Sequence, residues 1–198
     1  MRRALPWVIS AILLVAFIAS FSELERMRRR FGEVTRHSFH DHAAVRLDVI
    51  RSAMAQKTKP IVIFGDSLAE LAQFPESACN RPIVNAGIGG ATLDELTKLA
   101  SEFKGASLIV VLAGTNDAGS TTFEADYSRL LSKLPNAIAV PATAIPAVNR
   151  QIVASAKQSD VPILDIQFTE FKDIHPTASA YKAWIDQTVR ALSVECTR

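Results

Sequence analysis

The chain has 198 residues and a mass of 21.5 kDa, room for one ordinary domain with a short appendage rather than two full domains. Hydrophobic residues at 48% and charged residues at 21% are globular proportions, and 22 Lys+Arg against 20 Asp+Glu leave a formal charge of only +2, too small a basic excess to point to nucleic acid. Two cysteines, Cys79 and Cys196, exclude a disulfide scaffold and a four-thiolate zinc site, and leave room for one bridge in an oxidising compartment.

The amino terminus reads apart from the rest. After Arg2 and Arg3 comes an uncharged run of 17 residues, 5–21, near the lower limit for crossing a hydrocarbon core. It is apolar on every face, which disfavours a buried core helix. The small-x-small exit at Ser20-Phe21-Ser22 is poor, so an uncleaved anchor is preferred to a cleaved signal peptide. A literal positive-inside count over Arg26, Arg28, Arg29 and Arg30 favours a cytoplasmic carboxyl side. The acids Glu23 and Glu25 and the two cysteines argue instead for export, and a periplasmic or other extracytoplasmic domain is the expectation. Residues 22–57 are polar and helical in pattern, with eight basic and five acidic side chains, and read as a stalk suited to anionic headgroups or simply as a solvated helix. The histidines of His37-Ser38-Phe39-His40-Asp41-His42 lack a clear fourth ligand beyond Asp41, so no metal site is assigned.

From about Thr58 to the end, residues 58–198, strands and helices alternate. The runs KPIVIFG (59–65), PIVN (82–85), SLIVVLAG (107–114), NAIAVP (136–141) and VPILDI (161–166) predict five strands buried on both faces. Leu93, Leu96, Leu99, Ala100 and Phe103 share one helix face, as do Ala178, Tyr181, Trp184, Ile185, Val189 and Leu192, with Thr177 placed as a cap. This alternation predicts an α/β fold with a parallel sheet covered on both faces, whose reactive site lies at the carboxyl ends of the strands.

The residues at those ends are small and polar. Gly65-Asp66-Ser67-Leu68 follows the first run, Asn85-Ala86-Gly87-Ile88-Gly89-Gly90-Ala91-Thr92 the second, and Gly114-Thr115-Asn116-Asp117 the third. Asp173-Ile174-His175-Pro176 precedes the last helix. Together they offer a hydroxyl, a carboxamide, an imidazole and glycine backbone, the components of an acyl-transfer site. GIGGAT is not a dinucleotide fingerprint, because Thr92 stands where the third glycine of GxGxxG belongs.

In order and content these four blocks resemble the SGNH or GDSL hydrolase superfamily, over roughly 140 residues from Pro60 onward. The resemblance implies a three-layer α/β/α, flavodoxin-like fold with a parallel five-stranded sheet, preceded here by the expected membrane helix. It implies a metal- and cofactor-independent esterase in which Ser67 is the nucleophile and His175 the base. The oxyanion donors would be the Ser67 N–H, the Gly90 N–H and the Asn116 amide. An α/β-hydrolase reading with GxSxG fails at Ala69. The family's orienting acid lies three residues before the histidine, where this chain has Lys172. Asp173 is the nearest acid and reaches His175 only from an extended local backbone; otherwise a carbonyl or Glu170 must serve. The expected substrate is a small acyl ester, such as acetyl on an envelope polysaccharide, with no nucleic-acid partner. A catalytically silent glycan- or protein-binding domain and a carbohydrate O-acyltransferase are the alternatives. In an exported domain, Cys79 and Cys196 are expected to pair.

Overall fold

The computed structural model describes residues 5–195, without the side chains of residues 5, 6, 8–11, 34–41, 194 and 195. His37, His40 and Cys196 therefore fall outside the described side chains. The chain divides into two compact units, Met1–His42 and Ala43–Arg198.

Helix α1, Leu5–Gln56, begins in the first unit and ends in the second. In the first unit its described apolar side chains stand exposed, among them Trp7, Phe17, Ile18 and Phe21. The membrane-crossing helix expected over residues 5–21 is not found: among the described residues no helix is long and apolar enough to cross a membrane.

In the second unit the last turns of α1 lie on the α/β domain, with Ile50 buried at 1% exposure. The elements that follow are β1 (Ile61–Gly65), α2 (Ser67–Glu70), β2 (Ser77–Ala78), β3 (Arg81–Gly87), α3 (Leu93–Leu99), β4 (Leu108–Leu112), α4 (Phe123–Lys133), β5 (Ala137–Ala139), α5 (Pro146–Gln158) and α6 (Ala178–Glu195). Short 3-10 turns cover Ala100–Phe103 and Thr115–Asp117.

The sheet order is β2-β3-β1-β4-β5, and β3, β1, β4 and β5 are parallel. Side chains alternate across it. Val62 and Phe64 face a core shared with α3, α4, α5 and the end of α1, and Ile61 and Ile63 face a second core shared with α2 and α6. Helices thus cover both faces of a mostly parallel sheet, the arrangement that the apolar, β-branched strands imply.

One strand differs from expectation. Residues 161–166 make only a single parallel bridge, Ile163 to Ala139, because Pro162 has no N–H to continue a ladder. The fifth strand is instead the two-residue β2, antiparallel to Arg81 and Pro82 at the other edge.

The register sets the site. Gly65 pairs with Gly87 on one side and Leu112 on the other, so the segments leaving β1, β3 and β4 emerge side by side. The switch point of an open parallel sheet lies there.

Candidate active site

Ser67 is the first residue of α2, and Asp66 caps that helix by accepting the Leu68 N–H at 2.9 Å. The carboxylate of Asp66 is fully buried, and its other oxygen accepts the N–H groups of Gly114 and Thr115, both at 3.2 Å. It ties the loop after β1 to the loop after β4 and does not face the site as a reactant. Burial pushes its pKa up to about 6, against the lowering effect of those three backbone donors.

His175 reaches Ser67 from 108 residues away, with Nε2 2.9 Å from Oγ. A clamp of aromatic rings holds its loop: Phe168 stacks on Trp184 and meets Phe171 and Tyr181 edge-on, at centroid distances of 4.8, 5.8 and 5.1 Å. The Trp184 Nε1–H donates to the Ile166 carbonyl at 2.8 Å, and the Tyr181 hydroxyl donates to the Leu68 carbonyl at 3.2 Å. The second of these bonds joins α6 directly to α2. Thr177 caps α6 as expected, its Oγ1 accepting the Ala180 N–H at 3.3 Å.

The acid beside His175 is Asp173. Residues 171–176 close on themselves through a Phe171–Pro176 bridge and a bond from the Lys172 N–H to the His175 carbonyl at 3.0 Å. In that tight turn Asp173 Oδ1 accepts the His175 backbone N–H at 2.7 Å and lies 3.2 Å from His175 Nδ1. A carboxylate only accepts, so Nδ1 carries the proton and Nε2 of the neutral ring is left to accept from the Ser67 hydroxyl. The backbone donor at His175, followed by the imidazole itself, holds the Asp173 carboxyl below the usual carboxylate range. Glu170 is not the orienting group: its carboxylate accepts from the Thr177 hydroxyl at 2.9 Å. Lys172 therefore does not leave the imidazole without an acid.

Gly90 lies on the exposed rim after β3 with φ of 77°, left-handed backbone that glycine adopts freely, and its N–H has no partner among the described residues. Asn116 is exposed at the end of β4's loop and donates to the Ala91 carbonyl at 2.9 Å, which fixes its amide beside the Gly90 segment. The Ser67 N–H, at the start of α2, has no intrahelical acceptor. Asp117 accepts the Leu93 N–H at 3.1 Å and braces the start of α3. All five residues singled out in the sequence, Ser67, Gly90, Asn116, Asp173 and His175, are thus on segments that meet at one end of the sheet.

Sequence reasoning gave no role to Asn85, whose Nδ2 donates to the Ala69, Glu70 and Ala72 carbonyls at 2.9, 3.2 and 2.8 Å and closes the end of α2. Its signal was its place inside the second polar block. Cys79 is disulfide-bonded, and its sulfur lies 3.4 Å from the Leu192 carbonyl. A groove of about 950 Å³ lined by Leu71, Phe74, Pro176, Tyr181, Ile185 and Val189 opens beside the clamp, and neither Ser67 nor His175 lines it.

Among solved structures, a protein of Streptococcus pneumonia provisionally described as a platelet activating factor is 15% identical, with a TM-score of 0.61 over 81% of this chain and 97% of its own. A provisionally assigned lipolytic protein of the G-D-S-L family from Desulfitobacterium hafniense DCB-2 is also 15% identical, with a TM-score of 0.50 over 67% of this chain and 99% of its own. Both likenesses concern the fold. No curated protein sequence matches. The family model for GDSL-like lipases and acylhydrolases matches residues 53–198, and the chain belongs to that hydrolase family.

Proposed function

We propose that the chain is a serine ester hydrolase. The single observation that carries this is the 2.9 Å approach of Ser67 Oγ to His175 Nε2, with Asp173 on the other ring nitrogen. His175 takes the Ser67 proton as Oγ attacks the ester carbonyl, and the oxyanion forms against the Ser67 and Gly90 N–H groups and the Asn116 amide. His175 returns the proton to the leaving alcohol, and water then releases the acyl group from Ser67 by the same steps. The part of the silent alternative that rested on Lys172 loses its motive, because Asp173 supplies the acid.

The substrate in this reading is a small acyl ester. Gly90 and Asn116 stand on the exposed rim of the sheet, where an acetyl group on a bulky polymer such as an envelope polysaccharide has access. Export fits the same reading, since the Cys79 disulfide persists in an oxidising compartment. The test is hydrolysis of p-nitrophenyl acetate by wild type and Ser67→Ala. The reading expects the mutant to fall to background, and equal rates reject it.

A further inference from the structure

We infer that Arg46, on the last part of α1, is a positioning residue for the oxyanion loop, so that the active site extends to a helix preceding the family-matched domain. This rests on the ester-hydrolase reading for the role of Gly90, and on geometry for everything else.

Strand β3 is paired along its inner edge with β1, but β2 covers its outer edge only at Arg81 and Pro82. Beyond that point an edge strand presents unpaired carbonyls at every second residue. Here they are Ile83, Asn85 and Gly87, and cations take all three. Lys57 Nζ donates to the Ile83 carbonyl at 2.7 Å. Arg46 Nη2 donates to the Asn85 carbonyl at 3.2 Å, and its Nε donates to the Gly87 carbonyl at 3.1 Å. Nη2 also donates to Asn85 Oδ1 at 3.2 Å. A rigid planar fork suits several acceptors at fixed spacing in a way an ammonium does not.

The two cations differ in what lies beyond the carbonyl. Lys57 ends at the middle of β3. Arg46 sits where β3 gives way to the oxyanion loop, and Glu70 continues the chain of contacts. Glu70 Oε1 is 3.6 Å from Arg46 Nε, while its other oxygen accepts the Gly89 N–H, one residue before Gly90. Gly87 packs so closely on α2 that an added Cβ would lie 2.1 Å from the Glu70 nitrogen. Arg46, Glu70 and the Gly87–Gly89 backbone thus form one cluster that fixes both the loop carrying Gly90 and the helix carrying Ser67. Arg46 and Glu70 are each about four-fifths buried, so bulk water competes weakly for these contacts. Arg46 precedes residues 53–198, which the family model matches, so the contact belongs to this chain's own helix rather than to the matched blocks.

The test compares Arg46→Ala with Lys57→Met, which removes the other cation from the same strand edge. Amide hydrogen exchange is followed at residues 87–91, and kcat and KM are measured for p-nitrophenyl acetate. Arg46→Ala is expected to expose the Gly89 amide to exchange and to lower kcat on the order of 10²-fold with little change in KM, the cost of misplacing a catalytic donor by about an ångström. Guanidinium ion should restore part of that kcat. Lys57→Met should leave loop exchange and kcat at wild-type values even if its melting temperature falls. If both variants lose activity only in step with stability, or if Arg46→Ala leaves the loop amides protected, the inference is overturned. If Arg46→Ala does not fold, Glu70→Gln takes its place, with faster Gly89 exchange expected and unchanged exchange contradicting the proposal. Absence of hydrolysis by wild type sinks the ester-hydrolase reading, and the exchange arm still decides whether Arg46 holds the loop.

Discussion

Ser67 Oγ and His175 Nε2 meet at 2.9 Å although the chain between them builds most of the sheet. Two elements make that meeting: β1 delivers Ser67 at the switch point, and the aromatic clamp around Phe168 fixes the loop before α6. The Tyr181 hydroxyl on the Leu68 carbonyl is where the two halves join. The chemistry proposed for the site depends on this contact.

Asn116 should be sensitive out of proportion to its size. In the proposed mechanism its amide is an oxyanion donor, and its bond to the Ala91 carbonyl holds it in place. Asn116→Ala is expected to lower kcat about 10²–10³-fold while KM changes little. A fall in kcat/KM carried mainly by KM would place Asn116 in substrate binding instead.

Asp173 should matter less than the buried acid of a serine triad. Loss of a buried orienting carboxylate costs about 10⁴ in kcat, but here the Asp173 side chain is 65% exposed and water can partly replace it. Asp173→Asn is expected to reduce kcat by well under that factor without unfolding the protein. Steady-state kinetics beside a thermal melt checks this. A full 10⁴-fold loss would mean that the exposed carboxylate acts as a buried one does.

The pH dependence of stability should carry the signature of Asp66. Burial raises its pKa from 3.8 to about 6, so the native state holds the proton more tightly than the unfolded chain. The stability from this group is fully present below the unfolded value and is lost as pH rises through about 6. Urea midpoints across that window should therefore fall more steeply with rising pH for wild type than for Asp66→Asn. Parallel profiles would show that Asp66 titrates alike in both states. The variant should also be less stable throughout, because an amide cannot accept from Leu68, Gly114 and Thr115 as the carboxylate does.

Acyl length separates the exposed rim from the apolar groove. With the rim as the acyl site, kcat/KM should fall at least about tenfold from p-nitrophenyl acetate to the octanoate, which has no enclosed pocket to fill. A rise with chain length, abolished by Ile185→Trp, would move the acyl group into the groove beside Pro176.

Much of this was legible in the sequence because most of the candidate site residues follow short apolar runs, and the ends of parallel strands are where a site forms. Ser67, Gly90 and Asn116 are of that kind, while His175 lies in the polar loop before the last helix. Asp173 was ambiguous, since the sequence put it within reach of His175 only from an extended backbone, whereas the contact is made in a turn closed by the Phe171–Pro176 bridge. The fifth strand was misplaced because residues 161–166 read as apolar and extended, while Pro162 limits them to one bridge. Arg46 and Glu70 left no pattern to read. They meet the oxyanion loop only because β2 stops after two residues and leaves an edge for α1 to cover.

The most direct measurement is covalent labelling by a fluorophosphonate, with the modified residue located by mass spectrometry. The account predicts one adduct, on Ser67, whose formation slows by orders of magnitude in His175→Ala. Labelling at another residue, or at Ser67 with undiminished speed when the imidazole is gone, would contradict it.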